Sequence, residues 1–494
     1  MVVNVLEYLE AAAEAQIALE DAEKQLTYAQ VLSQARAIGT VLAGTGRRRA
    51  PIGVVIERNI ESIVMFLGVV CSGNFYVPLD AAMAPQRLQV MLETLQPEAV
   101  IGLKDTLSAV PYTRTFSYED MIAAEPDNAL LDEIRGQHVD LDPLYALFTS
   151  GSTGVPKCVL VSHRSVINLT EQFADTFGFR RTDIFGNQAP FDFDVSVKDI
   201  YGAMKQGARL VVIPTKLFSM PAKLVEYLNL HRVTVIIWAV SALRIVAQLK
   251  TFRKTVAETL RLIMFSGEVM PPKVLNYWRD AIPGATYVNL YGPTEITCNC
   301  TYYIADRNFG PDEPLPIGRP FRNMRVYLLD DSGHEVPDGE QGEICVAGAG
   351  VALGYYRDPE RTAAAFTRNP VVTDYYDRIY HTGDLGCRSA AGELMFLSRK
   401  DNQIKHMGHR IELGEIEAAV NALEMVSACC CIYDPVKEKI CLFYQAEAAC
   451  DRELLLGIAD KLPKYMRPNR LFWRESLPLT AHGKLDRNAL KQEL

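Results

Sequence analysis

The amino-acid sequence predicts an α/β protein with a large N-terminal domain of mostly parallel sheets covered by helices and a small α+β C-terminal domain. Through the first 400 residues, short apolar runs of strand type alternate with amphipathic helical segments, and the links between them are short. Such alternation is typical of parallel sheets with helices on their faces. From about residue 317 the pattern changes to short strands punctuated by Gly and Asp, which predicts a β-rich subdomain over about 317–400.

A domain boundary is predicted within LSRKDNQIK (397–405). This charged, Asn-containing stretch follows a strand and precedes RIELGEIEAAVNAL, which has a helical pattern. The sequence therefore divides into an N-terminal domain, 1–400, and a C-terminal domain, 401–494.

The individual elements are predicted from apolar periodicity and from capping residues. GNFYVPLD (73–80) is predicted to be irregular. The remaining predicted elements are, in order, a helix over 4–14, a helix from the candidate N-cap Thr27, the strand IGVVIE, helices over 60–72 and 86–95, strands over 99–102 and 144–148, the strand CVLVSH, a helix over 163–177, strands over 209–213 and 233–238, strands within 260–270 and 287–295, and the strand VSACCCIYD (426–434).

Composition excludes several classes of protein. The net charge of −9 and the absence of a basic cluster argue against nucleic-acid binding. No apolar run approaches the 18 residues of a membrane span, and the N-terminus lacks the pattern of a signal peptide, so we expect a cytoplasmic protein without membrane contact. The eleven cysteines form no C-x-x-C pair and have no His partners at zinc spacing, so they are predicted to be reduced, mostly buried thiols.

TSGSTGVPK (149–157) has the composition of a phosphate-binding loop between two strands. Glycines let backbone amides turn toward an anion, hydroxyl groups add donors, and a lysine adds a positive charge. Walker A spacing is absent, so the loop is not an ordinary P-loop. On composition alone, a solvated Ser/Gly loop is an equal alternative. The candidate phosphate ligands are Thr149, Ser150, Gly151, Ser152, Thr153, Gly154 and Lys157.

Six motifs occur together in one order: TSGSTGVPK, FDFDVS, YGPTE, YHTGD, DNQIKHMGHRIELGEIE and LTAHGKLDR. In this order and spacing, the chain resembles the adenylate-forming superfamily over nearly its whole length. Within that superfamily it is similar to the amino-acid-activating adenylation domains of non-ribosomal peptide synthetases and to the stand-alone D-alanine carrier-protein ligases. The resemblance implies that ATP activates an amino acid as aminoacyl-AMP and that the acyl group then passes to a phosphopantetheine thiol.

The resemblance also implies the ATP ligands. Residues 149–157 are expected to hold the β and γ phosphates, Asp384 with help from Arg399 the ribose hydroxyls, and Glu295 the Mg²⁺ ion. The adenine is expected to lie against the turn Ser266, Gly267 and Glu268 and against the segment that supplies Asn289, Leu290, Tyr291, Gly292 and Thr294.

The implied amino acid pocket contains one carboxylate, Asp194, expected to bind the α-ammonium group. The implied side-chain lining is Val195, Lys198, Ile237, Met264, Ser266, Leu290, Cys298 and Asn299, although Ile237 could be displaced by its neighbour Trp238. A buried Lys198 favours an acidic or polar substrate. If Lys198 instead extends to solvent or pairs with Asp192 or Asp199, a small neutral substrate is expected.

The C-terminal domain is expected to be mobile, by the same resemblance. Asp401 matches a hinge, Lys484 is expected to bridge the substrate carboxylate and the α-phosphate, and Lys405 and Gly408 to line the path of the pantetheine arm. The sequence departs from the family pattern at Ser398, at His406 and Met407, at Val240 and Ser241, and at His381, which precedes TGD.

Because the chain ends shortly after Lys484, the carrier protein is expected in trans. Two alternatives remain open. An acyl- or aryl-CoA synthetase of the same superfamily would share the ATP ligands but would not need the carboxylate of Asp194. A catalytically silent module would have no reason to retain the charged residues of the six motifs.

Overall fold

The computed structural model describes residues 2–150, 156–311, 313–400, 403–478 and 485–494. The chain forms two compact units. The first comprises Met1–Ala81, Gln96–Leu147 and Cys158–Lys400, and the second comprises Ala82–Leu95, Phe148–Lys157 and Asp401–Leu494. The second unit thus combines the C-terminal segment with one earlier helix and with the segment that contains the candidate phosphate loop.

Sixteen α-helices occur in the described residues: α1 Leu6–Ala11, α2 Tyr28–Ala43, α3 Ile60–Cys71, α4 Pro85–Leu95, α5 Lys104–Leu107, α6 Tyr118–Ile122, α7 Asn128–Gly136, α8 His163–Phe177, α9 Val195–Gln206, α10 Pro221–Leu230, α11 Val240–Gln248, α12 Pro272–Ala281, α13 Pro359–Ala365, α14 Leu413–Asn421, α15 Asp451–Ala459 and α16 Arg487–Lys491. Short 3₁₀ turns include Thr294–Ile296. Among the described helices, none combines the length and apolar character required to cross a membrane.

The strands are β1 Ile17–Glu20, β2 Gln25–Thr27, β3 Pro51–Ile56, β4 Phe75–Asp80, β5 Ala99–Gly102, β6 Thr115–Ser117, β7 Pro143–Thr149, β8 Lys157–Ser162, β9 Ile184–Asn187, β10 Arg209–Val212, β11 Val235–Ala239, β12 Leu262–Ser266, β13 Thr286–Tyr291, β14 Thr301–Ile304, β15 Arg319–Pro320, β16 Met324–Leu329, β17 Gly342–Gly348, β18 Gly354–Tyr355, β19 Phe366–Arg368, β20 Arg378–Arg388, β21 Leu394–Arg399, β22 Gln403–His406, β23 His409–Glu412, β24 Ala428–Asp434, β25 Lys439–Gln445 and β26 Arg470–Arg474.

Two large sheets form the centre of the first unit. One has nine strands in the order β15-β14-β13-β12-β11-β9-β10-β1-β2, and its strands from β13 to β1 run parallel. The other has seven strands in the order β18-β8-β7-β4-β3-β5-β6. A third, antiparallel sheet contains β16, β17, β20, β19 and β21 and lies within the predicted β-rich region. The α/β fold class predicted from the sequence is confirmed.

Local sequence signals explain where several helices begin and end. Thr27 closes a capping box at the start of α2, because its Oγ1 accepts from Gln30 N at 3.3 Å while Gln30 Oε1 accepts from Thr27 N at 2.9 Å. Helix α8 has the predicted bounds: Ser162 caps its N-terminus, and Gly178, with φ of 61°, ends it in the left-handed conformation.

Three local predictions were wrong. The first helix covers only Leu6–Ala11 of the predicted 4–14. The segment predicted to be irregular contains strand β4, which pairs with β3 along its whole length. The predicted helix over RIELGEIEAAVNAL begins only at Leu413, because the preceding four residues are the second strand of the β22–β23 hairpin.

The second unit contains a three-stranded sheet in the order β24-β25-β26 beside the β22–β23 hairpin. Its core combines apolar residues of α14 and α15 with β24 and β25. Helix α4 is joined to α14 by an ion pair between Arg87 and Glu415, whose side chains are almost fully buried. All eleven cysteines of the chain are free, and nine of them are buried, as predicted.

Candidate active site

Strands β12 and β13 bring two turns that were predicted to bind ligand to one edge of the nine-stranded sheet. The strands are parallel, with Met264 opposite Val288 and Phe265 opposite Asn289. The turn after Ser266 and the turn after Tyr291 therefore follow the carboxyl ends of neighbouring strands, where open α/β sheets bind ligands. Gly267 has a φ of 93°, which a residue with a side chain rarely adopts.

The predicted apolar pocket residues share one face of this sheet. Ile237 lies opposite Met264, which lies opposite Val288, and Leu290 follows two residues later on the same face. All four are buried in one apolar cluster. Trp238 points to the opposite face, where its Nε1 donates to the carbonyl of Gly186 at 2.8 Å. Ile237, and not Trp238, is therefore the residue on the face of Met264.

The side chain of Lys198, on α9, ends among polar residues of the predicted pocket. Its residue is only 3% exposed. The Lys198 ammonium group donates to Asn299 Oδ1 at 2.8 Å and to Ser266 Oγ at 3.3 Å. Burial lowers the pKa of Lys198, whereas the nearby groups of Cys298, Asp194 and Asp199 raise it. This geometry excludes the alternative in which Lys198 extends to solvent.

The neighbouring carboxyl of Asp199 is fully buried. Asn187 Nδ2 donates to its Oδ2 at 2.8 Å, and among the described residues its Oδ1 has no hydrogen-bond partner. Burial raises the pKa of Asp199 to about 7, against the opposing effects of Asn187 and of the positive charges of Lys198 and Arg58. Near neutral pH, Asp199 is therefore only partly ionised and gives Lys198 less than a full counter-charge.

Asp194 lies at the N-terminus of α9, and both Asp194 and Val195 are half-buried. The carbonyl of Asp194 accepts a hydrogen bond from Cys298 Sγ at 2.8 Å. Cys298 has a positive φ of 71°. A Cβ on Gly292 would lie 2.7 Å from both Asn299 Cα and Cys298 O. The turn that contains Gly292 therefore packs tightly against the residues that contact Lys198 and Asp194.

A second polar cluster surrounds Asp384. Its carboxyl group is 2% exposed, its Oδ1 forms an ion pair with Arg399, and its Oδ2 accepts from Tyr291 OH at 2.6 Å. Arg399 lies directly opposite Asp384 in the β20–β21 pairing. Burial and the charge of Asp384 hold the pKa of Tyr291 well above its usual value, so the phenol stays a donor. Nearby along β13, Asn289 donates to the carbonyl of Pro316 at 2.8 Å.

Glu295 lies in the 3₁₀ turn that begins at Thr294 and is fully buried. Tyr355 OH donates to its Oε1 at 3.0 Å, and the Glu295 carbonyl accepts from Ala352 N at 2.9 Å. Glu268, in the Ser266 turn, lies 3.9 Å from the guanidinium group of Arg244. Both carboxylates are therefore fixed by neighbouring side chains.

The described ends of the candidate phosphate loop contact the β22–β23 hairpin, and all of these residues belong to the second unit. Ser150 Oγ donates to the carbonyl of Arg410 at 2.7 Å, and Lys157 Nζ lies 3.6 Å from Glu412 Oε1. Thr149 Oγ1 is buried and has no hydrogen-bond partner in the part of the chain that is described. The predicted ligands Gly151, Ser152, Thr153 and Gly154 lie outside the described residues.

The hairpin itself carries Lys405 on β22 and Gly408 in its two-residue turn. Met407 and Gly408 both have positive φ, at 52° and 82°, which is the backbone of a tight hairpin turn. Gly408 supplies this conformation without a Cβ penalty, and the side chain of Met407 is exposed. Asp401 and Lys484, the predicted hinge and catalytic residues, lie outside the described residues.

Three residues at these clusters were missed by sequence reasoning. Tyr355 orients Glu295 from a distant strand, and no local motif marks it. Tyr145 is fully buried and has no partner for its hydroxyl among the described residues. Burial raises its pKa, and the nearby groups of Cys298 and Asp194 raise it further. Asn187 holds Asp199. Tyr145 and Asn187 share one signal, a polar group within an apolar strand.

Comparison with known proteins gives the family. Residues 9–356 match the AMP-binding enzyme family, and residues 415–484 match the AMP-binding enzyme C-terminal domain. Tyrocidine synthase 1 of Brevibacillus parabrevis is 30% identical over 483 residues, which cover 96% of this chain and 43% of that protein. The chain thus spans less than half the length of this relative.

Solved structures show the same fold. The crystal structure of IdnL1 has a TM-score of 0.84 at 26% identity and covers 97% of this chain and 99% of its own. PA1221, a non-ribosomal peptide synthetase protein containing adenylation and PCP domains, has a TM-score of 0.84 at 24% identity over 100% of this chain and 84% of its own. The chain therefore belongs to the AMP-binding enzyme family of the adenylate-forming superfamily and is similar to the adenylation domains of non-ribosomal peptide synthetases.

Proposed function

We propose that this protein activates an amino acid with ATP, releases pyrophosphate, and transfers the aminoacyl group from AMP to the phosphopantetheine thiol of a separate carrier protein. Family membership supports the adenylate-forming step. The observation that carries the proposal is the buried cluster of Asp384, Arg399 and Tyr291, because it fixes a carboxylate acceptor beside the carboxyl end of β13.

In the proposed ATP site, the Asp384 carboxylate accepts the ribose hydroxyls. A carboxylate held by a cation and a phenol is pre-oriented, so little reorganisation is needed when the nucleoside binds. The adenine lies between the Ser266 turn and the segment from Asn289 to Tyr291. Thr149, Ser150 and Lys157 receive the β and γ phosphates, and the unpartnered hydroxyl of Thr149 among the described residues supports this role.

The residues present fit a magnesium ion. Glu295 offers the hard oxygen donors that Mg²⁺ prefers, and Tyr355 fixes the orientation of its carboxylate. Glu295 would hold the ion, which would neutralise charge on the triphosphate.

The proposed chemistry needs no protein nucleophile. A carboxylate oxygen of the amino acid attacks the α-phosphorus, a new O–P bond forms, and the bond to the pyrophosphate oxygen breaks. Both reactants are anions, so a cation is required between them, and Lys484 is proposed to supply it. The carrier thiol then attacks the acyl carbon, loses its proton, and releases AMP.

The two half-reactions are proposed to use two arrangements of the C-terminal domain, with Asp401 as the hinge. In the second arrangement, Lys405 and Gly408 line the path of the pantetheine arm. The tight turn of Met407 and Gly408 supports this role, since a residue with a side chain would be strained at position 408.

The substrate is proposed to be an amino acid with an acidic or polar side chain. Asp194 pairs with its α-ammonium group, and its side-chain acceptor meets Lys198, Asn299 and Ser266. The support is that the Lys198 ammonium is buried among neutral acceptors, while its neighbour Asp199 has a raised pKa. A buried cation in such surroundings favours an anionic or polar ligand.

Amino-acid-dependent exchange of labelled pyrophosphate into ATP tests the proposal. We expect exchange with one or a few amino acids that carry acidic or polar side chains, and we expect Asp384→Ala to abolish it while Asp338→Ala, an exposed carboxylate in the same unit, leaves it unchanged. If exchange requires a fatty or aryl acid and the acyl group is then transferred to coenzyme A, the protein is an acyl- or aryl-CoA synthetase. Wild-type protein that binds ATP but exchanges with no carboxylic acid would indicate a silent module.

A further inference from the structure

A third polar cluster lies on the β-rich sheet, on the same strand β20 as Asp384, and contains none of the residues assigned to ATP or amino acid. Cys345 on β17 lies directly opposite His381 on β20, and Glu343 precedes Cys345 by two residues on the same strand. The β17–β20 register shifts between Glu343, which pairs with Leu385, and Cys345, so the pairing is irregular at this point. The ligand atoms of Glu343, Cys345 and His381 all lie within 4.8 Å of one another.

The distances within this triad resemble those between ligands of one metal ion. His381 Nδ1 lies 3.3 Å from Cys345 Sγ and 3.4 Å from Glu343 Oε2. For tetrahedral Zn²⁺, bond lengths of about 2.3 Å to sulfur and about 2.1 Å to nitrogen and oxygen give separations of about 3.6 Å between sulfur and nitrogen and about 3.4 Å between nitrogen and oxygen. One atom placed between the three groups can thus reach all of them once the Cys345 thiol and the Glu343 carboxylate, which lie within 4.8 Å of each other, move closer together.

Two neighbouring groups orient the triad. Thr367 Oγ1 lies 2.9 Å from His381 Nε2, so it can accept the Nε2–H and leave the Nδ1 lone pair directed at Cys345 and Glu343. Metal-bound histidines commonly donate their other ring N–H in this way. The backbone N–H of Gly383 donates to Glu343 Oε1 at 2.9 Å, which leaves Oε2 as the oxygen that faces His381.

The surroundings allow entry and supply charge balance. Cys345 is fully buried, but the His381 side chain is 31% exposed, so an ion can reach the triad from solvent. A thiolate and a carboxylate together neutralise a divalent ion. Lys400 Nζ, 3.3 Å from Glu343 Oε2, competes with such an ion, and it has a second partner in Asp331 at 2.7 Å.

We propose that Glu343, Cys345 and His381 bind a divalent transition-metal ion of the Zn²⁺ type, with a water molecule as the fourth ligand. The mixed sulfur, nitrogen and oxygen donor set favours Zn²⁺ over Mg²⁺, which takes oxygen ligands. The site is distinct from the magnesium position proposed at Glu295.

Binding releases one proton. The form of cysteine that binds a metal is the thiolate, so the proton of the Cys345 S–H group must leave. The metal–sulfur bond forms as the S–H bond breaks, the proton passes to solvent, and no electron is transferred. Affinity for the metal should therefore increase with pH.

The test uses the full chain without a histidine tag, stripped with a chelator and titrated with Zn²⁺ and Co²⁺. We expect one equivalent of Zn²⁺ to be retained, a near-ultraviolet thiolate-to-Co²⁺ band, and a higher unfolding temperature with Zn²⁺. Cys345→Ser and His381→Gln should each weaken binding by at least about 100-fold, and Thr367→Val by about 10- to 100-fold. Lys400→Met should strengthen it, because the competing ammonium group is removed.

Matched controls distinguish this site from adventitious binding. Cys387→Ser changes a cysteine on β20, the strand that also carries His381. His334→Gln changes an exposed histidine beside Asp330. Both should bind like the wild type. The proposal is overturned if the wild type gives no thiolate band, or if His381→Gln binds Zn²⁺ as the wild type does. His381 is partly exposed, so this variant decides the question even if Cys345→Ser fails to fold.

Discussion

Replacing Lys198 by methionine tests the proposed substrate class. Methionine keeps most of the length and the apolar body of the side chain and removes the ammonium group with its charge and its hydrogen-bond donors. In the wild type the ammonium group lies 2.8 Å from Asn299 Oδ1 and 3.3 Å from Ser266 Oγ, in a residue that is 3% exposed. If the substrate brings a carboxylate to this position, the variant leaves that carboxylate buried without its partner.

The expected magnitude follows from this burial. Breaking a buried ion pair by removing one partner costs roughly 3 to 5 kcal/mol, which is roughly a 150- to 5,000-fold loss of kcat/KM for an acidic substrate. For a small neutral amino acid, the same change should cost less than about tenfold. The folded protein should not be destabilised, because a buried charge with neutral hydrogen-bond partners is itself unfavourable.

Pyrophosphate exchange with a panel of amino acids is the assay, with ATP binding measured separately. Lys205→Met is the matched control, since Lys205 lies on the same helix α9 but its partner is Glu171 at 3.9 Å. The reasoning is refuted if the wild type prefers alanine or an apolar amino acid over acidic and polar ones. It is also refuted if Lys198→Met and Lys205→Met give the same kinetic constants.

Three further outcomes are expected. Asp194→Ala should raise the KM for the amino acid on the order of 100-fold, which is less than for a fully buried ion pair because Asp194 is only half-buried. ATP affinity should be unchanged. Unchanged kinetics would show that Asp194 does not bind the α-ammonium group. Lys484→Ala should lose about 10² to 10³ in the rate of pyrophosphate exchange yet still load a carrier protein from supplied aminoacyl-adenylate. Gly408→Leu should keep pyrophosphate exchange and lose the loading of the carrier protein. Equal loss of both half-reactions in folded variants would contradict the two-arrangement mechanism. Asp199→Asn should raise the thermal unfolding midpoint, and it should do so more at pH 8 than at pH 5. The Asp199 pKa is raised from 3.8 to about 7. Between these two pH values the folded state keeps a proton that the unfolded state has lost, so the stability of the wild type falls as pH rises, by at most roughly 4 kcal/mol. A midpoint difference between variant and wild type that does not grow with pH would show that burial does not hold Asp199 protonated.

The periodic elements of the large domain were largely predictable, because apolar patterns and caps act locally. Helix α8 has its predicted bounds, and the helix at Thr27 has the predicted cap. Strand β4 was not recognised, since Pro78 within it removes a backbone donor and proline is rare in central strands. The fold accommodates Pro78 because the pairing of β4 with β7 lies at Tyr76, two residues before the proline. The pairing of β4 with β3 on the other side is continuous.

The contacts of the site depend on register, which a single sequence does not contain. The residue types of YHTGD and FDFDVS could be read directly, but only strand pairing sets Arg399 opposite Asp384. The same holds for the pair Cys345 and His381, which are 36 positions apart and match no metal-binding spacing. The sequence alone therefore did not indicate the proposed zinc site, because its ligands come together only through the pairing of β17 with β20.

The hairpin β22–β23 shows a different limit. Its second strand was predicted as part of a helix, because the whole segment RIELGEIEAAVNAL was given a helical pattern. The left-handed turn at Met407 and Gly408 reverses the chain instead, and the helix starts only after Glu412. Tertiary pairing here prevails over a local pattern.

The central claim is that a carboxylate oxygen of the substrate attacks the α-phosphorus of ATP. The most direct measurement uses substrate labelled with ¹⁸O in its carboxyl group, a phosphopantetheinylated carrier protein as acceptor, and mass spectrometry of the products. The account predicts that the AMP released after transfer carries one ¹⁸O atom and that pyrophosphate carries none. AMP without ¹⁸O, or ¹⁸O in orthophosphate, would contradict it.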